Sequence, residues 1–226
     1  MFKIALTAGH YLETAGKRCL KSLDKNETRE WVLNDRICDK VEAKLKAYEG
    51  YSLLRTDDTT GKKAISVEER TAAANKFGAD IYISVHHNAG INGGKGGGIM
   101  AYTYLKVDQT TKDWQKELYN ALIKQTGLKG DRVTPLSSAD LGECRLTAMP
   151  AIILECGFLD SATDVPVILT EQFAENCATA IVEVLVKRGK LTKKPATVTK
   201  TLTPEELLAE LKAQGYEIKI TKTVKS

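Results

Sequence analysis

Short apolar runs separated by segments of helical spacing constrain this chain more than any other feature in it. FKIALTAG (2–9), YSLLRT (51–56), DIYISVHH (80–87), GIMAYTYL (98–105) and PAIILECG (150–157) read as strands. Residues 27–47, 67–77, 110–126 and 171–186 read as helices. SVEE (66–69) is a capping box for the second of these. Runs that are apolar on both faces and alternate with helices predict an α/β domain built on a mostly parallel sheet. In such a sheet, ligands gather at the carboxyl ends of the strands.

That rim is where the chemistry-bearing residues fall. The chain has three histidines, His10, His86 and His87. His10 and His86 stand at predicted strand ends far apart in sequence, which brings them to one edge of the sheet. Neighbouring strand residues face opposite ways, and this separates His86 from His87. His86 shares its face with Ser84 and, if the extended path continues, Asn88; His87 shares its face with Ile83 and Val85. The polar face suits a ligand, so His86 is favoured and His87 is left as a supporting or capped residue.

Two histidines invite a metal, and a catalytic zinc usually takes a third protein ligand while keeping one position for water. In the helix after the first loop, Leu33, Ile37, Val41 and Leu45 form the apolar stripe. Glu30 lies near the middle of that stripe, one turn nearer the N-terminus, with Glu27 further round as second choice. Favourable placement of an acid at a helix start explains Glu27 adequately and Glu30's inward angle less well. Glu155 follows Ile152, Ile153 and Leu154 at the end of a buried strand. A buried glutamate there is either ion-paired, with Arg70 or Arg145, or is a proton carrier for hydrolysis. The pattern indicates a zinc hydrolase without indicating which bond it cuts.

Composition narrows the remaining choices. Among 226 residues there is enough apolar content for one good-sized core, and no run long enough to span a membrane. Cys19, Cys38, Cys144, Cys156 and Cys177 are odd in number and scattered, so they read as buried free thiols. From Lys187 onward there are ten Lys/Arg against four Glu, leaving 23 bases and 25 acids in the body. A basic end on a near-neutral body suggests attraction to something anionic, whether nucleic acid, a membrane face or a wall polymer, or else is a solvated linker that keeps the protein soluble. A nucleic-acid partner is not expected, because the tail lacks aromatic–basic interleaving.

KLTKKPATVTK (190–200) reads as a linker between a body at 1–189 and a small helix–strand appendage at 201–226. In the appendage, Thr203 and Glu206 form a capping box, Pro204 opens the helix and Gly215 stops it; Tyr216, Ile218 and Ile220 alternate afterwards. One helix and one strand cannot bury a core alone. The piece therefore docks on the body, self-associates with another chain or begins a further module. NGGKGGG (92–98) supplies flexibility or close backbone approach.

These residues together resemble a known family, the zinc-dependent N-acetylmuramoyl-L-alanine amidases of the amidase-3 type. The likeness spans roughly residues 2–187. It rests on IALTAGH (4–10), EWVLN (30–34), ERTAAANKFGADIYISVHHNAG (69–90) and MPAIILECGFLD (149–160). It implies a six-stranded sheet with helices on both faces, Zn2+ held by His10, Glu30 and His86, and Glu155 as general acid/base. The implied substrate is peptidoglycan, cut at the amide between N-acetylmuramic acid and L-alanine. Many members follow the first histidine with two glycines and an Asp, whereas here HYLETAG (10–16) intervenes. MFKIALTAGH is too short for a signal peptide. The expectation is therefore a phage-endolysin-like enzyme that stays cytoplasmic until released to the wall. A bacterial autolysin domain, a zinc carboxypeptidase acting on soluble peptides and a non-catalytic wall-binding module are the alternatives.

Overall fold

The computed structural model describes residues 1–195 and 203–213. The first compact unit, Met1–Lys194, opens with β1 (Phe2–Ala8), α1 (Glu30–Leu45), β2 (Tyr48–Glu49) and β3 (Tyr51–Arg55). It continues with α2 (Val67–Phe77), β4 (Ile81–Asn88), β5 (Ile99–Thr103) and α3 (Gln109–Thr126). Then come β6 (Leu136–Ser138), α4 (Gly142–Arg145), β7 (Ala151–Phe158), α5 (Val165–Ile168), α6 (Glu171–Gly189) and β8 (Thr192–Lys193).

Six strands form one sheet in the order β3-β1-β4-β7-β5-β6. The first four run parallel, while β5 runs antiparallel to β7 and carries β6 parallel to itself. This is the mostly parallel sheet expected from the sequence. The sixth strand, β6, had no apolar run to announce it. Its three residues are exposed or half-exposed and are ordered by pairing along β5.

Each face of the sheet buries a different set of side chains, as the strand alternation requires. On one face Ile4, Leu6, Ile81, Ile83 and Val85 pack with the α1 stripe of Leu33, Ile37, Val41 and Leu45 and with α3 and α6. On the other, Ala5, Tyr82, Ala151 and Ile153 pack with Ala74 of α2 and Cys144 of α4. The second cluster has fewer buried residues than the first, with Tyr82 as its largest fully buried side chain. α2 begins with the expected capping box: Ser66 Oγ accepts from the Glu69 N–H, and Glu69 returns a carboxylate to the Ser66 N–H. All five cysteines are free and buried, as read from the sequence.

Two boundaries differ from expectation. α1 starts at Glu30, not Glu27, because Glu27 sits at φ 49, in the left-handed region that a helix start cannot use. The stretch read as a linker from residue 190 begins inside the compact unit: β8 pairs antiparallel with β2, Tyr48 opposite Lys193 and Glu49 opposite Thr192. A two-residue ribbon has no periodicity to detect.

The second unit spans Pro195–Ser226. Its described residues include α7 (Pro204–Ala213), opened by reciprocal bonds between Thr203 and Glu206 as expected. The stop at Gly215 and the alternation of Tyr216, Ile218 and Ile220 lie outside the described residues.

Candidate metal centre and active site

The carboxyl ends of β1, β4 and β7 meet the N-terminus of α1 at one rim. β1 pairs with β4 up to Ala8 opposite Val85, and the Gly9 N–H extends the ladder to the Val85 carbonyl at 2.8 Å. The next residue on β4 is His86, whose ring lies flat on Gly9. A Cβ at position 9 would come within 2.1–2.4 Å of the ring atoms. The glycine is therefore the seat of the imidazole. His10 follows at φ 68, turning the chain out of the strand and its side chain toward His86. The two rings stand edge-on with centroids 5.0 Å apart.

Glu30 completes the group. Fully buried at the first turn of α1, it places Oε1 3.4 Å from His10 Nε2 and 3.2 Å from His86 Nδ1. The His87 backbone N–H donates to the same oxygen at 3.1 Å. Its other oxygen, Oε2, is buried with no hydrogen-bond partner among the described residues, and only the Lys17 ammonium approaches, at 3.6 Å. One donor atom each from His10, Glu30 and His86 lie within 4.8 Å of one another. Two imidazoles, a carboxylate and an orphaned anionic oxygen fit a divalent cation. Glu27, the second choice from sequence, instead makes surface ion pairs with Arg18 at 3.2 Å and Lys21 at 3.8 Å.

His87 turns to the opposite face, as strand parity required. It is buried, and its Nδ1 meets Asn34 Oδ1 at 2.8 Å. Asn34 Nδ2 in turn donates to the Gly9 carbonyl at 3.1 Å. This chain of bonds braces α1 against the β1 end, which fixes Glu30 relative to His86.

Glu155 sits directly opposite His86 in the β4–β7 register. Neither arginine that could have neutralised it does so: Arg145 pairs with Asp140, and Arg70 binds main-chain carbonyls and approaches Glu143. Glu155 Oε2 is buried without a hydrogen-bond partner among the described residues. Burial pushes its carboxyl up to about 7, with Glu30 and Glu143 adding to the rise and His86 and Lys17 opposing it. His10, Tyr11, Lys17, Arg70, His86, Glu143 and Glu155 all line one open cleft of about 460 Å³.

Among the protein groups alone, burial and the neighbouring carboxylates move the members of the centre in different directions. Burial opposes ionisation of Glu30, yet hydrogen bonding and the charge of His86 hold its carboxyl at about 2. Burial would lower His86, but bonds to Glu143 and Glu30 raise it to about 10. His10, with burial dominant, falls to about 4.

The sequence profile of the N-acetylmuramoyl-L-alanine amidases of the amidase-3 type matches residues 4–187. The chain belongs to this family. The amidase expected from the sequence motifs is thus the family observed. The chain is 34% identical over 131 residues to the sporulation-specific N-acetylmuramoyl-L-alanine amidase of Bacillus subtilis (strain 168), covering 58% of this chain and 48% of that protein. It is 28% identical over 227 residues to the amidase CwlM of Bacillus licheniformis, covering 96% and 83%. With the endolysin of Bacillus phage SPP1 it shares 33% over 126 residues, covering 54% and 46%. Two of these three alignments therefore span about half of the relative's length. In fold, the chain resembles the catalytic domain of CwlV from Bacillus (Paenibacillus) polymyxa var. colistinus, with TM-score 0.74 at 21% identity, covering 85% of this chain and all of that one. An amidase from Clostridium difficile 630 gives TM-score 0.73 at 23% identity, covering 82% and 95%.

Two charged cleft residues, Lys17 and Glu143, were not found from the sequence. Lys17 lies in the first loop, where no period places a side chain. Glu143 sits on the one-turn α4, with no apolar pattern to mark it as buried. Only the packing of α4 against α2 and β7 carries it to the cleft.

Proposed function

We propose that this chain is a zinc-dependent N-acetylmuramoyl-L-alanine amidase that cleaves the amide between N-acetylmuramic acid and L-alanine in peptidoglycan. One observation carries the reading. In a chain of this family, donor atoms of His10, Glu30 and His86 lie within 4.8 Å of one another, in a cleft they share with the unpaired Glu155.

His10, Glu30 and His86 would hold the ion, a donor set that leaves a position open as catalytic zinc sites do. Bound there, zinc supplies Lewis-acid polarisation of the amide carbonyl and a water pKa lowered toward ~7. The rest of the work belongs to the chain. Glu155, opposite His86 and with an unpartnered oxygen in the cleft, is placed both to accept the proton of the attacking water and to donate it to the departing alanine nitrogen. The carboxylate regains its starting state at the end of the cycle. The His87 N–H and the His87–Asn34–Gly9 bonds hold Glu30 and His86 in register, so the carboxyl and imidazole groups need not reorganise during reaction.

Glu155→Gln is expected to retain stoichiometric zinc and to lose about 10²–10⁴-fold in wall hydrolysis, the usual worth of a general acid/base. His10→Ala and His86→Ala should lose the metal itself. Undiminished lysis by the Glu155 variant would remove its assigned role. Mass spectrometry of digested walls should find new amino termini on L-alanine. Release of C-terminal amino acids would point to a carboxypeptidase, and retention on walls with no release to a binding module.

The likeness to the SPP1 endolysin favours a wall-lysing role of the phage type. Clearing of intact vegetative walls, with little action on spore cortex, is the result that reading expects.

A further inference from the structure

Glu143 has no part in the hydrolysis described above, yet it is one of the most deeply placed groups of the cleft. It is 6% exposed. Oε2 stands 3.4 Å from His86 Nε2, and Oε1 stands 3.9 Å from Arg70 Nη1.

The two nitrogens of His86 therefore face different partners. Nδ1 looks toward Glu30 Oε1 at 3.2 Å, the oxygen that His10 Nε2 also approaches at 3.4 Å. Nε2 looks away from that point of convergence, toward Glu143. A neutral imidazole carries one proton, so a lone pair on Nδ1 requires the hydrogen on Nε2. A buried carboxylate 3.4 Å from Nε2 is the acceptor this tautomer needs. Glu143 is not itself in the group whose donor atoms lie within 4.8 Å of one another. It stands behind the group.

Arg70 extends the same support to the other histidine. Its guanidinium donates to the Ala8 and His10 carbonyls at 2.7 Å each and to Thr7 Oγ1 at 3.0 Å. One Arg–Glu pair thus backs both imidazoles, Arg70 through the main chain of His10 and Glu143 through the ring of His86.

We infer that Glu143 is a positioning residue for metal binding: it accepts the Nε2 hydrogen of His86 and holds the imidazole in the tautomer and orientation that present Nδ1 to the cation. This rests on the reading that His10, Glu30 and His86 bind a divalent ion. Carboxylates in this relation to a metal-binding histidine typically govern 10–100-fold in metal affinity.

The test uses the full chain with Zn2+ as probe. Chelator competition gives the zinc dissociation constant for wild type, Glu143→Gln and Glu143→Asp, with circular dichroism confirming the fold of each. Zinc binding weakened 10–100-fold in Glu143→Gln, with partial recovery in Glu143→Asp, is the expected result. Dissociation constants within twofold of wild type in both folded variants overturn the inference. Complete loss of zinc, as in His86→Ala, would make Glu143 a ligand and overturn it too. A readout independent of any variant is the 15N spectrum of zinc-loaded wild type, tractable with three histidines. His86 should carry its hydrogen on Nε2, and a hydrogen on Nδ1 overturns the inference even if the variants fail to fold. If wild type binds no zinc at all, the metal reading itself fails, an outcome distinct from the others.

Discussion

His10 holds a left-handed backbone, φ 68, which costs a non-glycine residue roughly 1–2 kcal/mol. Glycine adopts this conformation freely but has no imidazole, so the site keeps the strain in order to aim the ring. This separates two variants that look alike for function. His10→Gly and His10→Ala should both lose zinc, but in urea unfolding without metal the Gly variant should be the more stable by about 1 kcal/mol. Equal stability would show that the loop relaxes around the substitution. The residue before it has the opposite requirement. A methyl at Gly9 meets the His86 ring at 2.1–2.4 Å, so Gly9→Ala should displace that ring and weaken zinc binding while leaving the secondary structure intact. Calorimetric titration with zinc, alongside circular dichroism, checks this.

At the scale of elements, the loop before α1 sets where Glu30 enters the site. Asp24 organises it, accepting from the Asn26 N–H at 3.0 Å and the Thr28 N–H at 2.8 Å. Burial works against its ionisation, but the bonds from Thr28 and Asn26 outweigh that and hold its carboxyl below the usual range. A carboxyl lowered in the fold stabilises the protein above its unfolded pKa of about 3.9, and the contribution fades as pH falls through the folded value. Asp24→Asn should therefore lower stability at pH 7 and flatten its decline below pH 4, measured by urea unfolding across that range. α2 carries Arg70 and begins with the Ser66–Glu69 box. Ser66→Ala should cost about 1 kcal/mol, read in the same unfolding assay. The glycine run before β5 resolves to close approach: a Cβ at Gly98 would lie 2.4 Å from Gly130 Cα. The Gly97 and Gly98 N–H groups donate to Asp131 and Asp164.

At the scale of the whole molecule, every cleft residue and both buried clusters lie within Met1–Lys194. A chain ended at Lys194 should keep its melting temperature within about 2 °C and retain wall hydrolysis. Loss of cooperative melting in that truncation would contradict it. The excess of bases toward the C-terminus has a mixed role. Lys187 and Arg188 pair with Glu117 at 3.0 and 2.9 Å, so they serve the α3–α6 contact. Attraction of the other bases to an anionic wall polymer is a proposal, and wall binding that does not fall as salt rises would overturn it. Among the described residues, no helix is long and apolar enough to cross a membrane.

Sequence alone was enough for the features set by periodicity. Apolar runs and helical stripes depend on residues close together along the chain, which was enough for the α/β class, five of the six strands of the sheet, the capping box of α2 and the opposite facing of His86 and His87. Glu30 was legible for the same reason, since its angle on α1 is a property of the helix. What only the tertiary structure decided depends on contacts between distant segments. β6 exists because β5 offers it an edge, and β8 because β2 does. Glu27 was removed from the site by a left-handed φ that no local pattern announced. Glu143 became part of the centre because α4 packs beside β7, and Glu155 kept an unpaired oxygen because Arg70 and Arg145 were drawn to other partners. Charge pairing in a folded chain follows distance through space, which a linear order of residues does not contain.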